Sequence, residues 1–183
     1  MSFKTPRDVL ASYLAQLNDH EIHRALEHLA EEFRLEFKGG PTLSKSDLSS
    51  ALGWDAGTQG RVEWRIVSET LETIAVEGEE TNEFLTLLLI EPLAFRSEFR
   101  FNDDGLISHQ VHDVDWTGVS VSDALAPAIE WATEHALDEL AQAYPQGKMV
   151  YSEETGRRWV VLLRRWQAET GAYQPRDPSS DAP

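Results

Sequence analysis

Two histidines and two aspartates lie close together between Leu106 and Trp116, a stretch that reads LISHQVHDVDW. His109, His112, Asp113 and Asp115 are side chains of the kind that hold divalent metal ions. The stretch is predicted to be a β-strand, in which only residues two apart share a face, so the two histidines point in opposite directions. Without a bulge, no three of these four side chains converge. The pattern therefore predicts no metal site, and we expect no cofactor.

His112 is the candidate acid–base residue, because an imidazole titrates near neutral pH and can donate or accept a proton. Gln110 lies on the same face of the predicted strand. The alternatives are a histidine that is hydrogen-bonded within the sheet, or one that faces a ligand without catalysis. A two-residue hairpin turn would pair His112 with Ser97, whereas a three-residue turn with a bulge at Gly105 would pair it with Arg96.

Several aromatic side chains have the chemistry of a ligand pocket, because they offer large apolar surfaces and some carry a polar group. The predicted ligand-binding set consists of Tyr13, Trp54, Trp64, Phe99, Gln110 and His112. Plain core packing is the alternative for each aromatic residue. His20 and His23 have a spacing that a metal could use, but no third ligand is evident, which favours a solvated helix surface.

The chain is strongly acidic, with 32 Asp and Glu against 16 Lys and Arg and a formal net charge of −16. Such a surface repels phosphate backbones and anionic lipids, so neither nucleic acid nor a membrane is an expected partner. The absence of cysteine excludes disulfides and thiolate chemistry. The longest apolar run, Phe84–Ile90, is far shorter than the roughly 20 residues that span a bilayer. The N-terminus has no signal-peptide pattern, and we expect a cytoplasmic protein.

Helices are predicted ahead of the sheet. Thr5 has the position of an N-cap, followed by Pro6 and an acid three residues after the cap, and apolar residues then recur at helical spacing as far as Leu17. A second amphipathic helix and an alternating strand, residues 31–38, come next. Ser44 caps a predicted third helix that ends near Gly53, with Trp54 just beyond it. A glycine-rich loop, Asp55–Gly60, is predicted to follow.

Four strands are predicted to follow in a meander. Residues 61–77 alternate but change parity near residues 68–70, which indicates a bend or bulge. Phe84–Ile90 is apolar at odd and even positions alike, so it is predicted to be a central strand buried on both faces. Residues 93–101 and 106–116 complete the meander. A strand buried on both faces requires a cover on the second face of the sheet, either the C-terminal helices or a dimer partner.

Two further helices are predicted after the sheet. The first carries an apolar stripe from Ala124 to Tyr144, with Pro127 early in it or at a break, and the second is capped by Ser152. Tyr173–Pro183 is polar and rich in proline and serine, which is typical of disorder. We expect an α+β domain over residues 1–120, a helical extension over 121–171 packing on it, and a disordered tail over 172–183.

Three segments of the chain resemble the nuclear transport factor 2-like superfamily, including its SnoaL-like and ketosteroid-isomerase-like branches. They are YLAQLN at residues 13–18, LAEEF at residues 29–33 and FRFNDDGLI at residues 99–107, and the resemblance covers roughly residues 5–116. It implies a curved antiparallel sheet wrapped on the N-terminal helices and enclosing a conical pocket. It also implies a possible homodimer through the outer face of the sheet. Functions in the superfamily are scattered among several chemistries, so the fold alone does not give the function.

The resemblance transfers only part of a catalytic site. Tyr13 falls where ketosteroid-isomerase-like members have a tyrosine that donates a hydrogen bond to a developing enolate. Their two acids fall at Phe37 and near Ser97, which have no carboxyl group, so ketosteroid-type isomerisation is not expected. His112 falls where SnoaL-like and epoxide-hydrolase-like members have an inward aspartate on the last strand.

Three hypotheses for function remain. The first is a protein that binds a small apolar or carbonyl-type molecule in its pocket. The second is an enzyme of the isomerase, cyclase or lyase type that uses His112 as acid or base and Tyr13 as hydrogen-bond donor. The third is a non-catalytic dimeric interaction module whose pocket is filled by its own side chains.

Overall fold

The computed structural model describes residues 5–115 and 118–172. Its helices are α1 (Pro6–Asn18), α2 (Ile22–Leu26), α3 (Lys45–Thr58), α4 (Glu83–Leu87), α5 (Val121–His135), α6 (Leu137–Ala143) and α7 (Glu153–Thr170), with a 3-10 turn at Pro145–Gly147. Its strands are β1 (Leu29–Phe37), β2 (Thr42–Ser44), β3 (Arg61–Glu69), β4 (Thr73–Thr81), β5 (Leu93–Phe101) and β6 (Ile107–Val114). The predicted strand end at Trp116 and nearly all of the predicted disordered tail lie outside the described residues.

The described strands form one mixed sheet in the order β2-β1-β6-β5-β4-β3. The predicted α+β class is confirmed. The predicted antiparallel pairing holds for every described pair except β1–β6, which is parallel and continues into a hydrogen bond from the Lys38 amide to the His112 carbonyl. Alternation of apolar and polar residues identifies the two faces of a strand, but it does not specify the direction of the neighbouring strand, which explains the difference.

The prediction of a central strand at Phe84–Ile90 is wrong, because α4 occupies this segment. The Asn82 side chain accepts a hydrogen bond from the Leu85 amide at 2.8 Å and caps the helix. Phe84, Leu85 and Leu88 are buried. A short apolar run is compatible with a buried helix as well as with a buried strand, and periodicity does not separate the two. The prediction that the outer face of the sheet must be covered rested on this strand, so it no longer follows.

Residues 61–81 form the hairpin β3–β4 where one long bent strand was predicted. A bulge interrupts the pairing between Ile66 and Ser68, and the chain then turns at residues 70–72. The outer face of this hairpin carries charged pairs, with Glu77 binding Arg65 and Arg96 at 3.0 Å each. The change of parity in the sequence therefore marked both a bulge and a turn.

Helix α3 continues to Thr58, beyond its predicted end near Gly53. Its glycines do not break it, because they allow α7 to approach its backbone closely. A Cβ built at Gly57 would collide with the backbone oxygen of Glu153, and one built at Gly156 would lie 3.1 Å from the Trp54 carbonyl oxygen. Trp54 therefore lies inside α3 and not beyond its end, and most of the predicted loop at Asp55–Gly60 is also helical.

Buried apolar side chains form two clusters. The first joins α1, α2 and the start of α3 to the inner face of the sheet, and includes Tyr13, Phe33 and Phe99. The second joins α4–α7 to Trp54, with Trp159 completely buried within it. The apolar stripe predicted as one helix after residue 120 is divided between α5, which contains Pro127, and α6. Within the described ranges, each helix is too short or too polar to cross a membrane.

The predicted caps at Thr5, Ser44 and Ser152 are confirmed. Each side chain accepts a hydrogen bond from the backbone amide three residues later, and each belongs to a reciprocal capping box.

Candidate functional site

A cavity of about 500 Å³ lies between the inner face of the sheet and helices α1, α3 and α4. Among the predicted ligand-binding residues, Tyr13, Trp54, Phe99, Gln110 and His112 line this cavity. Trp64 does not line it. Trp64 is partly buried against the first core cluster, at a position of β3 opposite Gly78. The fold thus brings five of the six predicted side chains to one cavity, and their binding role stays a prediction.

His112 belongs to a short hydrogen-bonded chain on the sheet wall of the cavity. β5 and β6 pair so that His112 lies opposite Ser97, which is the first of the two registers that the sequence left open. The His112 Nδ1 atom lies 2.6 Å from the Ser97 hydroxyl oxygen, which also accepts a hydrogen bond from Gln110 Nε2 at 3.3 Å. The rings of Phe37 and Phe95 contact the imidazole. His112 is therefore held in position by a polar partner and by aromatic neighbours.

Burial lowers the pKa of His112 below its ordinary value of 6.5, and the negative charge of Asp113 opposes this shift only in part. The imidazole is therefore neutral at neutral pH and retains a basic nitrogen. His109 lies on the opposite face of β6, where its Nε2 atom is 3.6 Å from the Glu36 carboxylate. No three His, Asp or Glu side chains in the described ranges converge as metal ligands.

Sequence analysis missed a pair of carboxyl groups in the same cavity, Asp55 and Glu80. Asp55 lies in the last turn of α3, and Glu80 lies on β4 opposite Val62. Burial, and then the nearby charge of Glu80, raise the pKa of Asp55 to about 8, and burial also raises the pKa of Glu80. The signal for Glu80 was its parity with Val76 on the alternating strand. Asp55 gave no signal, because it was predicted to lie in a loop.

Tyr13 is almost completely buried and contacts the ring of Phe99 edge-on, with centroids 6.3 Å apart. Burial, with the charge of Asp55 as a smaller cause, raises the pKa of Tyr13 well above its ordinary value. The phenol therefore keeps its proton at neutral pH and can act as a hydrogen-bond donor. One helical turn later, the Gln16 side-chain oxygen is buried at the cavity with no hydrogen-bond partner in the described part of the chain.

Asn18 fixes the end of α1 to the sheet beside this acidic pair. Its side-chain amide donates a hydrogen bond to the Val62 carbonyl at 2.9 Å, and its side-chain oxygen accepts one from the Val62 amide at 2.8 Å. Because Val62 pairs with Glu80, this two-bond contact sets the position of the Glu80 backbone relative to α1.

Several solved structures share this architecture at low sequence identity. A nuclear transport factor 2-like protein of unknown function from Cytophaga hutchinsonii is 13% identical, with a TM-score of 0.51 over 62% of this chain and 93% of that chain. The epoxide hydrolase/cyclase-like enzyme SalBIII, which has a role in pyran ring formation in the polyether salinomycin, is 12% identical, with a TM-score of 0.54 over 61% and 92%. A protein from Sphaerobacter thermophilus is 10% identical, with a TM-score of 0.51 over 61% and 97%.

No family model matches the chain, and no curated protein matches it. The structural likenesses cover nearly all of each solved protein but under two thirds of this chain, so the chain is longer than the fold they share. The mixed sheet packed on N-terminal helices agrees with the sequence resemblance stated above. The chain has the nuclear transport factor 2-like fold.

Proposed function

We propose that this protein binds a small, largely apolar molecule in the cavity between the sheet and helices α1, α3 and α4. The observation that carries the proposal is a cavity of about 500 Å³, lined mostly by apolar side chains with a few polar groups among them. This size and this composition are those of pockets that enclose small organic ligands. The cavity is not filled by the protein's own side chains, which argues against the interaction module with a filled pocket.

A cavity-filling variant tests this proposal. Ala51 lines the cavity on α3, and Ala126 is exposed on α5, so Ala51→Trp and Ala126→Trp place the same side chain inside and outside the cavity. We expect the unchanged protein and Ala126→Trp to bind the neutral dye Nile red with a saturable rise in fluorescence. Ala51→Trp should lose this signal while keeping its circular dichroism spectrum. Equal dye binding by both variants, or none by the unchanged protein, would contradict the proposal.

A second candidate function is enzymatic proton transfer next to a carbonyl group. The observation that favours it is that His112 and Tyr13 line one cavity. Burial lowers the pKa of His112 and raises the pKa of Tyr13, which favours the neutral base and the protonated donor that this chemistry needs. His112 would take a proton from the carbon next to the carbonyl, and Tyr13 would donate a hydrogen bond to the oxygen that gains negative charge. The proton would then return from His112 to carbon.

Hydrogen exchange into deuterated water tests this second candidate without knowledge of the product. A panel of cyclic ketones is incubated with the protein, and loss of the α-proton signals is followed by NMR. His112→Asn keeps a side-chain amide near Ser97 but removes the base, so it should abolish exchange, and Tyr13→Phe should slow it. His109→Asn, on the other face of the sheet, is the matched control. Exchange that survives in His112→Asn would exclude this role.

A further inference from the structure

One end of the cavity contains hydrogen-bond acceptors that have no donor. Asp55 on α3 and Glu80 on β4 line it, and neither carboxyl group makes a hydrogen bond or an ion pair with any described residue. The Gln16 oxygen on α1 is buried at the same cavity and is also unpartnered among the described residues. A buried acceptor without a donor destabilises the protein, and a buried unpaired charge does so more strongly. The Gln16 oxygen is such a group, and it shares the cavity with two half-buried carboxyl groups that also have no donor among the described residues.

The charges point to a cation. Two carboxyl groups that share a cavity repel each other when both are ionised, and the charge of Glu80 disfavours the charged form of Asp55. Every lysine and arginine that forms an ion pair in the described ranges is paired with some other acid, mostly on the protein surface. Arg61 also lines the cavity, but among the described residues no ion pair joins it to Asp55 or Glu80. A positively charged donor placed between Asp55 and Glu80 would remove the repulsion and satisfy the acceptors together.

The shape of the site points to an organic cation and not to a bare metal ion. Gln16 adds one buried neutral oxygen to the same cavity, and most of the other lining residues are apolar, with Arg61, His20 and Asn82 among the exceptions. In the described ranges no third His, Asp or Glu joins the pair to form a metal site. An ammonium group has several N–H donors for oxygen acceptors, and the hydrocarbon part of the ligand would lie against apolar lining residues such as Phe84 and Leu52.

We propose that the Asp55–Glu80 end of the cavity binds the protonated amine of a largely apolar ligand, with the Gln16 oxygen as an additional acceptor. This inference rests on the proposed function, since it names the class of molecule that the same cavity holds. The formal net charge of −16 acts in the same direction, because an acidic protein surface raises the local concentration of cations and speeds their association.

Matched ligand pairs test the proposal. The probes are cyclohexylmethyl, adamantyl and naphthylmethyl amines, each compared with the alcohol of the same carbon skeleton, and dissociation constants are measured by calorimetry at pH 7. We expect at least one amine to bind more tightly than its alcohol by about tenfold or more, because only the amine brings a charge to the carboxyl pair.

Two variants identify the groups that read the amine. Asp55→Asn with Glu80→Gln removes both ionisable carboxyl groups while keeping side-chain size, and should reduce the preference for amine over alcohol to about twofold or less. Glu79→Gln changes the residue of β4 that precedes Glu80 and is exposed on the other face of the sheet, so this variant should keep the full preference for amine over alcohol. A retained preference in the double variant would overturn the assignment to this pair.

The outcomes separate this inference from the proposed function. If alcohols and amines bind equally, the amine site is excluded, whereas binding in the cavity is upheld. If no member of any pair binds and Nile red does not bind either, both proposals fall. If the dye binds but none of the amines does, only the amine site is excluded.

Discussion

The two polar regions of the cavity differ in whether their polar groups find hydrogen-bond partners within the protein. On the sheet side, Ser97, Gln110 and His112 form hydrogen bonds with one another. In the second region, Asp55 on the helix wall and Glu80 on strand β4 line the same cavity without a donor among the described residues. A satisfied network rigidifies a wall, whereas unsatisfied buried groups are costly unless a ligand completes them. The sheet wall, which carries the candidate residue His112 predicted from the sequence, is therefore the one whose polar groups already have hydrogen-bond partners within the protein.

The two regions should also respond to pH in opposite directions. Between pH 3.8 and about 8 the folded protein keeps a proton on Asp55 that the unfolded chain releases, so this group lowers stability as the pH rises. His112 has a lowered pKa, so below pH 6.5 the unfolded chain takes up a proton that the folded protein does not accept. That group lowers stability as the pH falls.

The largest effect expected is that of Asp55→Asn, which breaks the acidic side of the comparison. Asparagine cannot ionise, so at pH 8 the variant should be more stable than the unchanged protein by on the order of 3 kcal/mol. At pH 5 the difference should be smaller, because the penalty from Asp55 grows as the pH rises from 3.8 towards about 8. Urea unfolding at both pH values measures it, with Glu79→Gln as the surface control. The same pH slope in the variant and in the unchanged protein would contradict the raised pKa of Asp55.

Gly57→Ala should disturb one region and leave the other intact. The added methyl group would collide with the Glu153 backbone and force α7 away from α3, which destabilises the protein by about 2 kcal/mol. Because Asp55 lies on α3, the amine preference should weaken, while the NMR signals of the His112 ring stay in place. Gly118→Ala is the matched control, since no atom lies within 4 Å of the added group. A shift of the His112 signals as large as those near Asp55 would show that the two regions are not separate.

Ser97→Ala should have the smallest effect and should sharpen the comparison from the sheet side. It leaves His112 Nδ1 and Gln110 without their shared partner, which destabilises the protein by about 1 kcal/mol. Ser108→Ala removes an exposed hydroxyl that donates to the Arg100 carbonyl, and is expected to change stability by less than about 0.5 kcal/mol. Thermal unfolding measures both. Equal losses of stability in the two variants would mean that the hydrogen bond to His112 contributes no more than an exposed one.

The sequence predicted the sheet wall better than the helix wall, and the reasons are physical. Strict alternation along residues 93–101 and 107–114 assigns faces, and the short turn then leaves only two registers, one of which pairs His112 with Ser97. The caps at Thr5 and Ser44 depend on neighbours three residues away, so they are also visible locally.

The helix wall depends on contacts that are distant in the chain. Gly53 and Gly57 have the local signature of a loop, and only the approach of α7, about a hundred residues later, makes them suitable for a buried helix. With α3 ended too early, Asp55 could not be placed on the cavity. The strand prediction for Phe84–Ile90 was wrong for a related reason. The apolar residues of this segment are divided between the cavity and α7, so they show no single periodicity.

The backbones of α7 and α3 approach closely at Gly57 and Gly156, so the position of α3 depends on α7. Helix α7 can therefore affect the acidic end of the cavity, although none of its described side chains lines the cavity. Helix α7 also holds α4 through a hydrogen bond from Gln167 to the Leu87 carbonyl at 2.6 Å. A change of side-chain size along α7 would therefore tilt α3 and α4 together and alter the width of the cavity at its acidic end. Substitutions on α7 can therefore change which ligands the cavity prefers, while the sheet and His112 stay as they are.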